Sequence, residues 1–351
     1  MISFILIALT SSKVFLSSTD ERNFLSWMRE NGEFFTGSEY HFRLGVFLSN
    51  SRFVTEFNRN TKNSFRLSLN HLACWTHAEY RAILGHSKSS KFERSKVDLH
   101  NIKYNTNHLT VDKINQRNLL NNSKYHKYAK FSKSVDWREK GGVNPIQDQK
   151  SCGSCWSFAA CAAFEGAWFA SSGKLVKISE QLFVDCCKYC FGCYGGSADA
   201  AYNWAIHEND GKVCLHEDYP YTGTQGVCRY KSSMAYGHVS QYVRVFSLSE
   251  ISDEDLMCQT LEEIGPLTVA IDADGAKFRL YDSGIYYDDT CVQGDANHAV
   301  AVVGYGEEDN GEQYFIVRNS WGLSWGEAGY IRMLRNVNLC GIADEVYYPV
   351  I

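Results

Sequence analysis

From Glu39 to Asn58 the residues Glu39, Arg43, Phe47, Asn50, Val54 and Asn58 recur at steps of four, four, three, four and four, which lays them along one stripe of a helix. The spacing makes Glu39 and Arg43 an i,i+4 pair and turns Phe47 and Val54 towards a neighbouring helix around Phe24, Trp27 and Met28. Residues Trp156 to Trp168 are mostly apolar or small, a pattern that predicts a buried helix with Cys155 at its N-terminus. Leu267 to Ile271, Ala299 to Val303 and Tyr314 to Val317 are short apolar runs and predict strands. Ile2 to Leu9 is apolar and is followed by Thr10, Ser11 and Ser12, the make-up of a signal-peptide core. No run approaches the ~20 apolar residues of a spanning helix. Between about Ser87 and Lys130 the chain is rich in Asn, Ser and Lys with sparse periodicity, which predicts a mobile connector open to proteolysis.

Composition sharpens this outline. At 351 residues with 44% hydrophobic and 14% aromatic residues, the chain exceeds one typical domain and can bury a substantial core. Residues 1 to 130 carry 19 Lys/Arg against 10 Asp/Glu, whereas residues 131 to 351 carry 16 against 30. A basic segment ahead of an acidic one can associate with it electrostatically, and the acidic bulk argues against a nucleic-acid partner. Thirteen cysteines fit an oxidising compartment and agree with a secretory leader.

Cys155 stands in the string Lys150-Ser151-Cys152-Gly153-Ser154-Cys155-Trp156, with His298 143 residues and Asn319 164 residues further on. A thiol becomes a strong nucleophile when ionised, and both a helix N-terminus and a nearby imidazolium favour the thiolate. A carboxamide such as Asn319 can orient the imidazole. Two other readings of the cysteines stay open: Cys152 and Cys155 as a Cys-x-x-Cys redox pair, and Cys186, Cys187, Cys190 and Cys193 as a zinc cluster.

Cys152-Gly153-Ser154-Cys155-Trp156, together with Asn297-His298-Ala299-Val300 and Arg318-Asn319-Ser320-Trp321-Gly322, resembles the papain family of cysteine peptidases. The six-position stripe is similar to the ERFNIN pattern of cathepsin L-type propeptides, with Val54 in place of isoleucine. The wording from Phe42 to Asn50 resembles a protozoan, trichomonad-type branch. Two departures stand out. Ser68 to Cys74 keeps only Asn70 of the usual Gly-x-Asn-x-Phe-x-Asp and lacks its carboxylate, and Lys150 stands where the family usually has a small residue or Gly.

The resemblance implies an α+β, papain-like two-domain fold, helical on the left and β-barrel-like on the right, preceded by a helical inhibitory propeptide. The expected divisions are a signal peptide at 1–18, a propeptide at 19–130 and a peptidase domain at 131–351. The implied activity is a cysteine endopeptidase made as a zymogen, with Cys155, His298 and Asn319 catalytic and Gln149 joining the Cys155 backbone N–H as an oxyanion donor. Trp321 is expected to screen the Asn319–His298 bond. Gly195, Gly196, Ser197, Ala198, Ala270, Ala296 and Ala299 are expected along the substrate cleft, with Glu345 on the floor of the S2 pocket, where it can meet a basic P2 side chain. The implied disulfides are Cys152–Cys193, Cys186–Cys228 and Cys291–Cys340. Cys74, Cys161, Cys187, Cys190, Cys214 and Cys258 are left without an inherited partner, and an extra bridge from Cys187 or Cys190 to Cys214 is one option. The resemblance implies no cofactor or metal. Its partners are protein and peptide substrates, the chain's own propeptide and cystatin-like inhibitors. The expected product is a monomer without a membrane span after signal removal, in a lysosome-like compartment or outside the cell. Asn121-Asn122-Ser123 is an N-glycosylation acceptor that would leave with the propeptide.

Overall fold

A computed structural model describes residues 18–87, 131–245 and 253–351. The expected signal peptide apart from Ser18, the connector from residue 88 to 130 and Asn121 lie outside the described residues. Among the described residues no helix is long and apolar enough to cross a membrane.

The N-terminal part is built on α1 (Ser18–Glu30) and α2 (Gly37–Arg59), followed by strand β1 (Phe65–Leu67) and α3 (His77–Ile83). All six stripe positions lie in α2, and each makes a defined contact. Phe47 packs against Phe24 and Trp27 of α1 at ring separations of 5.2 and 5.5 Å, and Val54 is buried beside them in the same core. Glu39 lies 3.5 Å from Arg43, whose guanidinium forms a fork with Glu79 at 2.6 Å. Glu79 also closes a capping box with Thr76 at the start of α3, so one carboxylate fixes that helix and ties it to α2. Asn50 donates to the Ala73 carbonyl at 2.7 Å, and Asn58 exchanges two hydrogen bonds with the backbone of Leu67, which holds β1 in place.

The remainder divides into a helical half and a sheet half. The helical half gathers α4 (Cys155–Ser172), α5 (Glu180–Cys186) and α6 (Ala198–Glu208) around Trp156, Phe183, Tyr202 and Trp204. In the other half a nine-stranded sheet runs in the order β1-β7-β10-β9-β8-β6-β11-β5, with β2 also pairing to β8. Its strands are β2 (Val135–Asp136), β5 (Gln241–Arg244), β6 (Leu267–Ile271), β7 (Tyr281–Tyr286), β8 (His298–Glu307), β9 (Gln313–Arg318), β10 (Tyr330–Leu334) and β11 (Val346–Val350). The three predicted strands are β6 and the interiors of β8 and β9.

The N-terminal part is sewn into this sheet. β1 runs antiparallel to β7 and pairs Phe65 with Gly284 and Leu67 with Tyr281, while Phe65 packs on Tyr286 at 5.0 Å. The buried Arg279 donates to Asn50 Oδ1 at 2.9 Å and to the Trp75 carbonyl at 3.1 Å, and its own carbonyl accepts from Asn70. Asn70 thus has a docking role without the neighbouring carboxylate. Across the contact Arg81 lies 3.4 Å from the Asp274 carboxylate, and His77 Nε2 lies 3.6 Å from the same group.

Three disulfides are present: Cys152–Cys193, Cys186–Cys228 and Cys291–Cys340. Bridging of Cys152 leaves Cys155 without a redox partner, and bridging of Cys186 and Cys193 breaks up the zinc option. The optional bridge from Cys187 or Cys190 to Cys214 is absent. A turn in which the Cys190 amide donates to the Cys187 carbonyl brings those two sulfurs within 2.9 Å of each other, while Cys214 is buried next to Ser179 in strand β3 (Val213–Cys214), which pairs with β4 (Ala235–Tyr236). Cys74 is a buried free thiol whose pKa burial pushes up to about 12.

Candidate active site

Cys155 is the first residue of α4, at the helix end where the macrodipole and the unpaired amides favour negative charge. His298 opens β8, and Asn319 follows the last residue of β9. Because β8 and β9 are antiparallel, these two ends come side by side, and His298 Nε2 lies 2.8 Å from Asn319 Oδ1. That oxygen also accepts from the Ser320 amide at 2.8 Å, which fixes the carboxamide orientation and makes Nε2 the protonated ring nitrogen. Nδ1 is buried with no hydrogen bond of its own. Trp321 stacks on the imidazole at 4.7 Å between centroids, and Phe278 meets both rings edge-on, so this face of the histidine is closed to water. Across the cleft the Cys155 sulfur accepts from the Ala299 amide at 3.5 Å.

Gln149 is fully buried. Its Oε1 accepts from Ser320 at 2.7 Å, which leaves Nε2 as the directed donor. Nε2 donates to the Cys152 carbonyl at 2.8 Å and to the carbonyl of Ile83, at the end of α3, at 2.9 Å. The chain then passes directly over Cys155. A Cβ placed on Gly85 would lie 1.8 Å from the Gly153 carbonyl oxygen, so only glycine fits this crossing. Gly196 donates to the Gly85 carbonyl at 2.9 Å and accepts from the Ser87 amide at 3.0 Å, while the His86 amide donates to the Asn297 carbonyl at 3.0 Å.

The other expected cleft residues gather around this segment. Gly195 and Gly196 follow a 3-10 turn, Ser197 stands at the N-cap position of α6 without a side-chain capping bond, and Ala198 is the first residue of that helix. Ala270 and Ala299 are register partners on β6 and β8, beside the pair Ile271 and His298. The Glu345 carbonyl accepts from the Ala270 amide at 3.2 Å, and its carboxylate reaches to 3.2 Å from His86 Nε2. Ala296 lies one residue before Asn297 and is half-buried. Lys150, next to Gln149, has φ of +56° and is held there by its amide donating to Asp148 at 2.7 Å. Glycine suits that left-handed conformation, which fits the Gly usual at this position; nothing in the structure explains the lysine.

Burial sets the electrostatics. The Cys155 thiol is pushed up to about 11 by desolvation, against the opposing pull of the Ala299, Gly85 and Trp156 amides. Desolvation likewise pushes His298 down to about 4, against the raising effect of Asn319. Burial thus disfavours the charged form of both groups. The arrangement supplies a thiol, an oriented imidazole and amide donors around one point, the parts needed for acyl transfer to a thiol.

Sequence reasoning gives no role to Ile83, Gly85 or His86. Gly85, after the apolar pair Ile83-Leu84, is the one local sign of a special backbone position; the contacts of the other two are made with residues distant in sequence.

Residues 131–350 match the family described as papain family cysteine protease, and residues 24–80 match the cathepsin propeptide inhibitor domain (I29). The chain is 34% identical over 342 residues to digestive cysteine proteinase 1 of Homarus americanus, covering 93% of this chain and 94% of that one. It is 32% identical over 334 residues to procathepsin L of Rattus norvegicus, covering 93% and 90%. Among solved structures, digestive procathepsin L 3 from the larval midgut of Tenebrio molitor superposes with a TM-score of 0.78 at 29% identity, over 95% of this chain and 100% of that one. A recombinant stem bromelain precursor gives 0.77 at 32% identity, over 95% and 99%. The chain belongs to the papain family of cysteine proteases. Within it, the inhibitor domain and the cathepsin L relatives make it a cathepsin L-like proteinase zymogen, with an inhibitory propeptide ahead of the peptidase domain.

Proposed function

We propose that this protein is an endopeptidase that cleaves peptide bonds through a thioester on Cys155. The thiolate attacks the scissile carbonyl carbon, and the Gln149 side-chain amide and the Cys155 N–H hold the oxygen as it gains charge. His298 donates its Nδ1 proton to the leaving amine as the C–N bond breaks. Water then gives a proton to His298 and attacks the thioester; the C–S bond breaks, the acid leaves and the thiolate–imidazolium pair is restored. Asn319 keeps the ring oriented, and Trp321 shields their hydrogen bond. The observation that carries this reading is the Ile83 carbonyl on Gln149 Nε2 at 2.9 Å, a peptide carbonyl already seated on the donor beside the thiol.

The cleft side chains support a specificity. Ser197, Ala198, Ala270, Ala296 and Ala299 are small and leave room, and Glu345 supplies one carboxylate at the floor of S2. The pocket takes Leu or Phe at P2, and also Arg through a charge-assisted bond. Gly195 and Gly196 pair with the substrate backbone, as Gly196 pairs with the propeptide.

The divisions proposed are a signal peptide at 1–18, a propeptide at 19–130 and a peptidase at 131–351, with the α2 stripe of ERFNIN type and the chain in the trichomonad-type branch. The mature product is a monomer in a lysosome-like or extracellular compartment and is open to cystatin-like inhibitors. The test is hydrolysis of Phe-Arg and Arg-Arg dipeptidyl fluorogenic amides by recombinant zymogen before and after acid incubation, with an epoxide thiol inhibitor and a Cys155→Ala control. Acid-treated protein should cleave both substrates, and inhibitor or mutation should abolish cleavage. Cleavage of Phe-Arg alone would remove the role of Glu345; no cleavage by a shortened, correctly bridged chain would point instead to a peptide-binding protein of the same fold.

A further inference from the structure

The imidazole of His86 enters the cleft from the propeptide side and is 3% exposed, with both ring nitrogens buried and lacking an aligned hydrogen bond. Its Nε2 is nevertheless 3.2 Å from Glu345 Oε2, within ion-pair reach of a carboxylate that is itself 15% exposed. The backbone around it is pinned on both sides of the cleft, to Gly196 on the helical half and to Asn297 on the sheet half. An unsatisfied imidazole is costly to bury, so a side chain held there by three backbone hydrogen bonds at residues 85–87 points to a specific counterpart.

We propose that His86 is a built-in stand-in for a basic P2 side chain, and that Glu345 anchors it as it would anchor substrate. The proposal rests on the reading of Glu345 as the S2 floor. One carboxylate then sets both the P2 preference of the enzyme and the strength of its inhibition by its own propeptide, and peptides with His at P2 join those with Arg as substrates. The direction of the chain explains why the stand-in survives. The carbonyl on Gln149 belongs to Ile83, which is N-terminal to the residue in the pocket, whereas a cleaved substrate has P2 N-terminal to the scissile carbonyl. With His86 in the pocket, the carbonyl on Gln149 therefore lies on the opposite side in chain order from a substrate's scissile carbonyl. His86 also opposes protonation of His298, without which the thiolate–imidazolium pair does not form.

The test uses the intact full-length zymogen at neutral pH, reading the rate at which iodoacetamide labels Cys155. His86→Ala and Glu345→Gln should each speed labelling by about tenfold or more, the scale of a lost charge-assisted contact. The double variant should be no faster than the faster single one, because both remove the same contact. His86→Leu, which fills the pocket without charge, should also label fast. Protection by leucine equal to that by histidine, wild-type labelling of His86→Ala, or multiplicative effects in the double variant would each overturn the proposal. The enzyme released by acid from the His86 variants lacks residue 86, so its unchanged activity on Phe-Arg amide checks their folding. Processed Glu345→Gln separates this proposal from the reading beneath it: loss of Arg-Arg cleavage with no change in zymogen labelling sinks the anchor alone, and unchanged Arg-Arg cleavage sinks the S2 reading.

Discussion

Gln149 Nε2 donates to the Ile83 carbonyl at 2.9 Å, so in the zymogen the propeptide occupies the donor assigned to the reacting carbonyl. The same atom donates to the Cys152 carbonyl, and Oε1 is fixed by Ser320, so the amide is oriented before any substrate arrives. Preorganised donors of this kind act mainly on the transition state. Gln149→Ala should lower kcat of the processed enzyme by about 100- to 1,000-fold with a much smaller change in KM. Steady-state kinetics on Phe-Arg amide check this, and a loss confined to KM would contradict it.

Gly85 is the narrowest point of the propeptide's path. A methyl group there meets the Gly153 carbonyl oxygen, a backbone atom in a disulfide-tied loop that has little freedom to yield. Gly85→Ala should therefore lift the segment from the cleft and make the uncleaved zymogen label readily at Cys155. The processed enzyme should be unchanged. Slow labelling equal to that of wild type would mean that the segment is not held against Gly153.

Some of this is legible in the sequence and some is not, for a physical reason. The α2 stripe reads clearly because its six residues share one helix face, and the structure gives each of them a partner on that side, from Glu79 to Leu67. β6 reads clearly because all five of its residues are buried. The path of Ile83 to Ser87 does not read, because it is set by pairing with Gly196 and Asn297, residues far along the chain, and no local period encodes that register. Lys150 shows in the sequence only as a departure, and its positive φ appears only once the backbone is known.

Glu79 gives the propeptide an acid-sensitive tie even though the family carboxylate near Asn70 is missing. The hydrogen bond from Arg43, with help from Thr76, holds its carboxyl down at about 2 against an ordinary 4.5. A depressed pKa stabilises the folded form at pH above the ordinary value, and that contribution is lost as pH falls from about 4.5 towards 2. In a Cys155→Ala background, which prevents self-cleavage, Glu79→Gln should lower the Tm at neutral pH and flatten its fall across that acid window. Superimposable Tm–pH curves would contradict the assignment.

Lys150 holds a left-handed conformation at φ +56° without the freedom of glycine. Lys150→Gly should stabilise the protein by about 1 kcal/mol, less the entropy that glycine returns to the unfolded chain. Denaturant unfolding of the zymogen checks the sign, and a clear loss of stability would show that contacts of the lysine stem outweigh the backbone strain.

The central claim is that residues 83–87 hold Cys155 and His298 neutral in the zymogen and that their removal lets the thiolate–imidazolium pair form. The most direct measurement is the rate of Cys155 alkylation as a function of pH, made on intact zymogen and on processed enzyme. Burial that pushes the thiol up to about 11 predicts that the zymogen reacts appreciably only in strong alkali. The processed enzyme should react from mildly acidic pH upward, with its profile displaced by several pH units. Coincident profiles would contradict the account, because they would mean that the propeptide covers the cleft without controlling the charge of the thiol.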